Sequence, residues 1–262
     1  RGILGVVAAF TGLLVVMVLL WVPESLPAER RHDGGLRILL DGTRELARDH
    51  VLVRLLFINA LSFGLLMAYL SAAPFVLRNV LGMGTVVYTA VFGLCGATVT
   101  VTIAVAASLV RRFSQARQVR VGLIAGLVVD TVFAGVCLTW LREPVTGPER
   151  MPLLVAVVAL FLAHVACLGL SMGNAPALAL DRTGRWAGTG SALLGFLQFV
   201  GGGLVSPLVG LTGEASGVAF GVVIVAVGAV ANVLAVFGLR ERGEKQRLAA
   251  QVTECRQQRL GQ

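Results

Sequence analysis

Apolar residues fall in seven long blocks, roughly 2–22, 54–77, 86–110, 120–141, 152–175, 187–210 and 217–239. Each has the roughly 20 residues that a helix needs to cross the hydrocarbon of a bilayer. The gap after the first block is the longest, and within it Leu36 to Leu46 carries apolar residues at helical spacing. That pattern predicts a short helix lying on the membrane surface. The other connections are short. The turn DRTGRW, with Asp181, Arg182 and Arg185, makes its two flanking helices antiparallel neighbours with their shared end in water. The chain accordingly divides into a transmembrane helix (1–22), a loop (23–53), a six-helix bundle (54–240) and a tail (241–262).

Composition agrees with this pattern. The chain is 56% hydrophobic and 14% charged, with mean hydropathy +0.85, whereas soluble domains carry roughly 25% charged residues. Too little polar surface is present to cover a soluble fold, so an all-α integral membrane protein is expected. A net charge of +8 does not indicate nucleic acid, because the arginines sit in clusters between apolar runs and not on one continuous face. They report orientation instead. If the first block runs outward to inward, 18 of the 22 lysines and arginines lie on the inner side, which under the positive-inside rule places the C-terminus in the cytoplasm. Residues 2–22 exceed the 7–15-residue apolar core of a signal peptide and end in WVPES, without a small-x-small cleavage site.

Polar groups inside spans are costly and therefore informative. Asp130 lies near the centre of the fourth block and His164 near the centre of the fifth. Asp130 is either a proton-coupling carboxylate or one neutralised or paired at a helix interface. His164 titrates near neutral pH, so it either relays a proton and meets substrate or bonds a neighbouring helix. Ser171 and Asn174 follow His164 on roughly the same side. Asn59, Ser62, Leu66 and Tyr69 form one stripe in the second block, and Ser191, Gly195, Gln198 and Gly202 share a face of the sixth. These polar positions either line a substrate cavity or bond helix to helix. For Gln198 the helix-to-helix role is favoured. The glycines of the sixth block, with Gly122/Gly126 and Gly217/Gly221, suit close approach of helix backbones. Cys95, Cys137, Cys167 and Cys255 show no paired spacing and read as small apolar fillers. There is no nucleophile–base set, phosphate loop or metal-ligand cluster, so neither catalytic nor metal residues are expected.

Several blocks together resemble the Bcr/CflA drug-resistance transporters of the major facilitator superfamily. Gly169, Leu170, Asn174, Ala175 and Ala177–Leu180, then Ala187, Gly188 and Ser191–Phe199, are similar to one family pattern. VPESLPAERR, YLSAAPFVL (Tyr69–Leu77) and LVRRFSQARQVRVG (Leu109–Gly122) resemble three others, in the family's order. Where the family commonly has a proline before the asparagine, this chain has Gly173, with Pro176 further on, so a kink at a different turn is expected.

The resemblance implies the C-terminal half of a major facilitator fold plus the preceding helix, in a chain that is a fragment lacking its N-terminal half. It makes the second and fifth blocks, helices seven and ten of the family, cavity walls, and the fourth, helix nine, a peripheral support. Asn59, Ser62, Tyr69, His164, Ser171, Asn174 and Gln198 are then the substrate-cavity candidates, and Asp130 and His164 the proton-coupling candidates. The implied function is proton-driven efflux of drug-like small molecules across a bacterial inner membrane, with the proton gradient as energy source and no cofactor. Its partners are the substrate, the lipid bilayer and the missing half, and the fragment alone is expected not to transport. A transporter of another small solute, or a non-transporting seven-helix partner or receptor, are the alternatives. A retinal protein is excluded because the sole lysine, Lys245, lies in the tail.

Overall fold

The computed structural model describes residues 2–21, 36–211 and 217–237. The predicted VPES segment, the tail, Lys245 and Cys255 lie outside the described residues. Two compact units are present, Arg1–Leu39 and Leu40–Gln262. In the first, α1 (Gly2–Trp21) is one apolar helix with no charged residue, whose Thr11 hydroxyl bonds back to the Val7 carbonyl at 2.9 Å. A second helix, α2 (Leu36–Ala47), begins there and from Leu40 belongs to the second unit. The second unit thus starts within α2.

The second unit contains α3 (His50–Pro74, continued by a wider π-helical segment to Val80), α4 (Thr85–Leu109), α5 (Gln115–Thr139), α6 (Arg150–Leu180) and α7 (Ala187–Val205). A last helix, α8, spans Val218–Phe237. Seven helices among the described residues are long and apolar enough to cross a membrane. Their ends differ from the apolar blocks where polar residues cap or extend them. Asp49 accepts hydrogen bonds from the amides of Val51 and Leu52, so α3 starts at His50. Ser114 accepts from the Arg117 amide and starts α5. Helix α6 runs through Pro176 to Leu180. Pro74, by contrast, has no N–H to give the preceding turn, and beyond it the helix widens from Phe75 to Val80.

The surface helix expected over 36–46 does form, but its partner is the bundle. Leu46 is buried with Val51, Leu52 and Leu55, and Gly42 lies against the Trp186 ring. Helix α3 is the most buried span, packed on α7 and α6, while α6 also packs on α4 and α5. Glycine decides how close these approaches are. A Cβ on Gly201 of α7 would lie 2.6 Å from the Ala60 carbonyl oxygen of α3, and one on Gly122 of α5 2.9 Å from the Cys167 carbonyl oxygen of α6. Gly221 does the same for α8 against Ala134 and Cys137. Not every glycine packs, however: Gly188, Gly195 and Gly203 face open space. Outward positions are mostly apolar, Val86, Val101, Phe196 and Leu204 among them, and outward threonines such as Thr131 bond the carbonyl four residues before, as expected of helices whose solvent is lipid.

The two ends of the bundle are chemically different. At the basic end, Arg182 bonds Asp49 at 2.7 Å and Arg185 bonds Glu45 at 2.6 Å, tying α2 and the α3 cap to the α6–α7 turn. At the other end, Arg150 donates to the carbonyls of Leu81 and Gly82 at 2.7 and 2.5 Å. Gly82 there has φ +59°, a backbone state natural to glycine. The amide of Val145 also bonds the Val80 carbonyl, and that of Gly217 the Leu141 carbonyl.

Candidate functional site

Asp130 and His164 meet. Their helices, α5 and α6, are antiparallel neighbours joined by a short connection, which brings the middle of one level with the middle of the other. The Asp130 Oδ1 and His164 Nδ1 atoms are 2.5 Å apart, and each residue is only 1% exposed. Neither a lone carboxylate nor a lone imidazolium is tolerable at such depth without a partner. Each supplies the other with that partner. Each residue thus bonds across a helix interface, Asp130 from α5 and His164 from α6, as the helix-to-helix alternative for each describes.

The surroundings of the pair are asymmetric. Toward the basic end lies a small cavity lined by Gly122, Gly126, Leu168, Ser171 and Gly228, with about 10 Å³ open to the centre of a water molecule, enough for about one water. Asp130 Oδ2 faces Gly228, where a Cβ would be 3.4 Å away. Toward the opposite end, Phe133, Phe161 and Phe220 stack edge to face or tilted at centroid distances of 4.8–5.6 Å. All three are fully buried, and Tyr69 joins them 5.3 Å from Phe161.

The other sequence-derived candidates occupy the bundle interior. Asn59, Ser62, Tyr69, Ser171 and Asn174 are all buried. Asn59 Nδ2 donates to Gln198 Oε1 at 3.2 Å, linking α3 to α7 through their side chains. Tyr69 stacks on Phe92 of α4 at 5.9 Å. Asn174 donates to Gln118 Oε1 at 3.3 Å and to the Leu170 carbonyl at 2.9 Å, and Gln118 in turn donates to the Phe113 carbonyl at 3.2 Å. Two polar seams result, α3–α7 through Asn59 and Gln198, and α5–α6 through Asp130, His164, Asn174 and Gln118. Gln118 was missed because it lies before the fourth apolar block, on the extra turn that the Ser114 cap adds to α5.

Three buried side-chain atoms carry no hydrogen-bond partner among the described residues: Ser62 Oγ, His164 Nε2 and Ser171 Oγ. Of these residues, His164 and Ser171 line the same small cavity. Cys95 and Cys137 are buried free thiols, in keeping with a packing role. No group of three His, Cys, Asp or Glu side chains capable of holding a metal occurs among the described residues.

A bundle of apolar helices with outward-facing hydrocarbon and a buried, mutually bonded acid–imidazole pair at mid-depth defines a multi-pass membrane protein. Residues 1–207 match the family model described as Major Facilitator Superfamily, and the chain belongs to that superfamily. It is similar to the uncharacterized MFS-type transporter YdgK of Bacillus subtilis (strain 168), with 28% identity over 231 residues, 87% of this chain and 53% of that protein. The chain thus spans about half the length of the curated relative it matches. No solved structure gives a significant match.

Proposed function

We propose that this chain forms the second six-helix bundle, with the helix preceding it, of a proton-driven efflux transporter for drug-like small molecules. Its basic end, with the C-terminus, would face the cytoplasm of a bacterial inner membrane. Membership of the superfamily supports transport, and the resemblance of the Asn174 and Tyr69–Leu77 segments to Bcr/CflA transporters supports the drug class. The observation that carries proton coupling is the buried Asp130–His164 pair. Gain or loss of one proton at this pair changes the charge buried in the bundle by one unit, and such a change in a low-dielectric interior alters helix packing energies by several kcal/mol. A step of that size is enough to bias an alternating-access equilibrium, in which this bundle rocks against its counterpart about a midplane site.

The test is flux in proteoliposomes containing the protein as its gene encodes it. An imposed pH gradient is expected to drive accumulation of a lipophilic dye cation, and Asp130→Asn to lower that accumulation at least tenfold while leaving dye-for-dye exchange in place. Accumulation unchanged in Asp130→Asn would remove the coupling role. A pump indifferent to drugs but active on another solute would favour the metabolite-transporter alternative.

A further inference from the structure

Helices α4 and α5 are consecutive in the chain, yet each packs on α6 and has little contact with the other. A Cβ on Gly169 of α6 would lie 2.7 Å from the Thr102 Cβ of α4, and one on Gly122 of α5 would lie 2.9 Å from the Leu170 Cβ of α6. Both helices are thus held close to α6 and leave a cleft between themselves. Near the α4–α5 connection this cleft contains a cavity of about 230 Å³, lined by Leu109, Phe113, Arg117, Gln118, Val121 and Leu170. Only Arg117 and Gln118 interrupt its apolar wall, and Phe113, Arg117 and Val121 are exposed.

The charge beside this cavity is unbalanced. Residues 111–120 hold Arg111, Arg112, Arg117 and Arg120 and no acid. Among the described residues none of the four is in an ion pair, whereas Arg182 and Arg185 of the neighbouring α6–α7 turn are neutralised by Asp49 and Glu45. Arg117 lies over the Phe113 ring, 4.9 Å from its centroid. Four residues on, and so on the same face of α5, Val121 lines the cavity one turn deeper.

We propose that this cleft binds one anionic phospholipid, with part of an acyl chain in the cavity and the phosphate on Arg117 and its neighbouring arginines. The positive-inside bias accounts for the side on which these arginines lie, but not for their lack of carboxylate partners around an apolar opening. A free aqueous anion gains nothing from an apolar wall. A drug-sized solute needs roughly 300–1,000 Å³, more than is present, whereas an acyl chain enters in part and leaves its remainder in the bilayer. Charge above hydrocarbon is also the order of groups in a lipid leaflet. Arginine clusters next to membrane helices attract anionic lipids, and the planar guanidinium matches a phosphate with two parallel hydrogen bonds. The start of α5, capped by Ser114, adds the positive end of a helix dipole.

This site goes beyond the transport reading and needs neither its proton nor its solute. In the test, the protein as its gene encodes it is purified in mild detergent. Native mass spectrometry then follows retention of added dioleoyl phosphatidylglycerol against dioleoyl phosphatidylcholine. The anionic lipid is expected to be retained more tightly by about tenfold or more, since each arginine near an anionic surface contributes about fivefold. Arg117→Gln with Arg120→Gln is expected to remove that preference and leave phosphatidylcholine retention as it was. Val121→Trp, which fills the cavity from its exposed rim without altering charge, is expected to lower retention of the anionic lipid about fivefold or more. Arg44→Gln with Arg48→Gln removes the same charge from exposed positions at the same end and should leave retention unchanged. Glycerophosphoglycerol, the headgroup without chains, should not displace the lipid. Equal retention of the two lipids, full retention in Val121→Trp, or displacement by the soluble headgroup would each overturn the site. An equal loss in the Arg44 and Arg48 variant would do the same, by reducing it to diffuse attraction.

Discussion

At the scale of single residues, the Asp130–His164 pair has a thermodynamic signature distinct from its proposed function. Removing one partner of a buried pair strands the other without compensation, at a cost of about 3–5 kcal/mol, whereas replacing both with apolar groups is often neutral or better. Asp130→Leu and His164→Leu are each expected to lower the unfolding midpoint strongly in detergent, and the double variant to be more stable than either. Additive losses in that double-mutant cycle would show that the two side chains are not energetically coupled. The pair was readable in part from the sequence. Each residue is central in its span and the spans are consecutive, so equal depth follows from the short connection between them. What the pattern could not supply is rotation about each helix axis, which determines whether two residues at one depth face each other. In spans that are apolar all round, no amphipathic stripe marks that rotation. The same gap explains Asn59 and Gln198, whose places on their own helices were evident but whose bond across α3 and α7 was not.

Among the helices, the glycines of α7 sort into two kinds that look identical in sequence. Gly201 sits against the Ala60 carbonyl, where a methyl group would be 2.6 Å away, while Gly203, two residues on, faces open space. Gly201→Ala is expected to push α7 off α3 and cost about 1–3 kcal/mol, the range of overpacked cores. Gly203→Ala is expected to be neutral or to gain up to about 1 kcal/mol from helix propensity. Thermal unfolding of the two variants side by side distinguishes them. The seven spans themselves were legible because block length and hydropathy depend on the bilayer and not on packing. Their ends were less so. The caps at Asp49 and Ser114 lie in polar sequence, where hydropathy falls off while the backbone becomes helical, and the block at 152–175 ended at a proline that α6 in fact passes through.

For the bundle as a whole, the basic end is held by ion pairs whose response to pH can be worked out. Burial pushes the Asp49 carboxyl up, but the Arg182 guanidinium and the Val51 and Leu52 amides outweigh it and hold the carboxyl below its usual value. Glu45 is likewise lowered, chiefly by its hydrogen bond from Arg185. A carboxylate with a depressed folded pKa stabilises fully above its unfolded value, about 3.9–4.3 for these residues, and loses that contribution as pH falls through the folded value. Attachment of α2 is therefore expected to be constant from neutral pH to about 5 and to weaken only below about 4. Amide hydrogen exchange of 40–49 measures this, and acceleration already at pH 6 would contradict it. Asp49→Ala removes a helix cap as well as the ion pair, so about 1 kcal/mol is expected from the cap alone, with faster exchange in α2.

The opposite end carries a consequence for the order in which the molecule is built. Arg150, at the start of α6, locks the corner between α3 and α4 by holding the carbonyls of Leu81 and Gly82, residues synthesised nearly seventy positions earlier. Until α6 emerges from the insertion machinery, the Leu81 and Gly82 carbonyls lack this partner and the corner is held only by its local turn and, once the α5–α6 connection is made, by the Val145 amide on Val80. Newly inserted α3 and α4 are thus an unlatched hairpin that the arrival of one arginine fastens. Arg150→Ala should accordingly show its defect in the yield of correctly assembled protein before it shows in the stability of the molecules that mature.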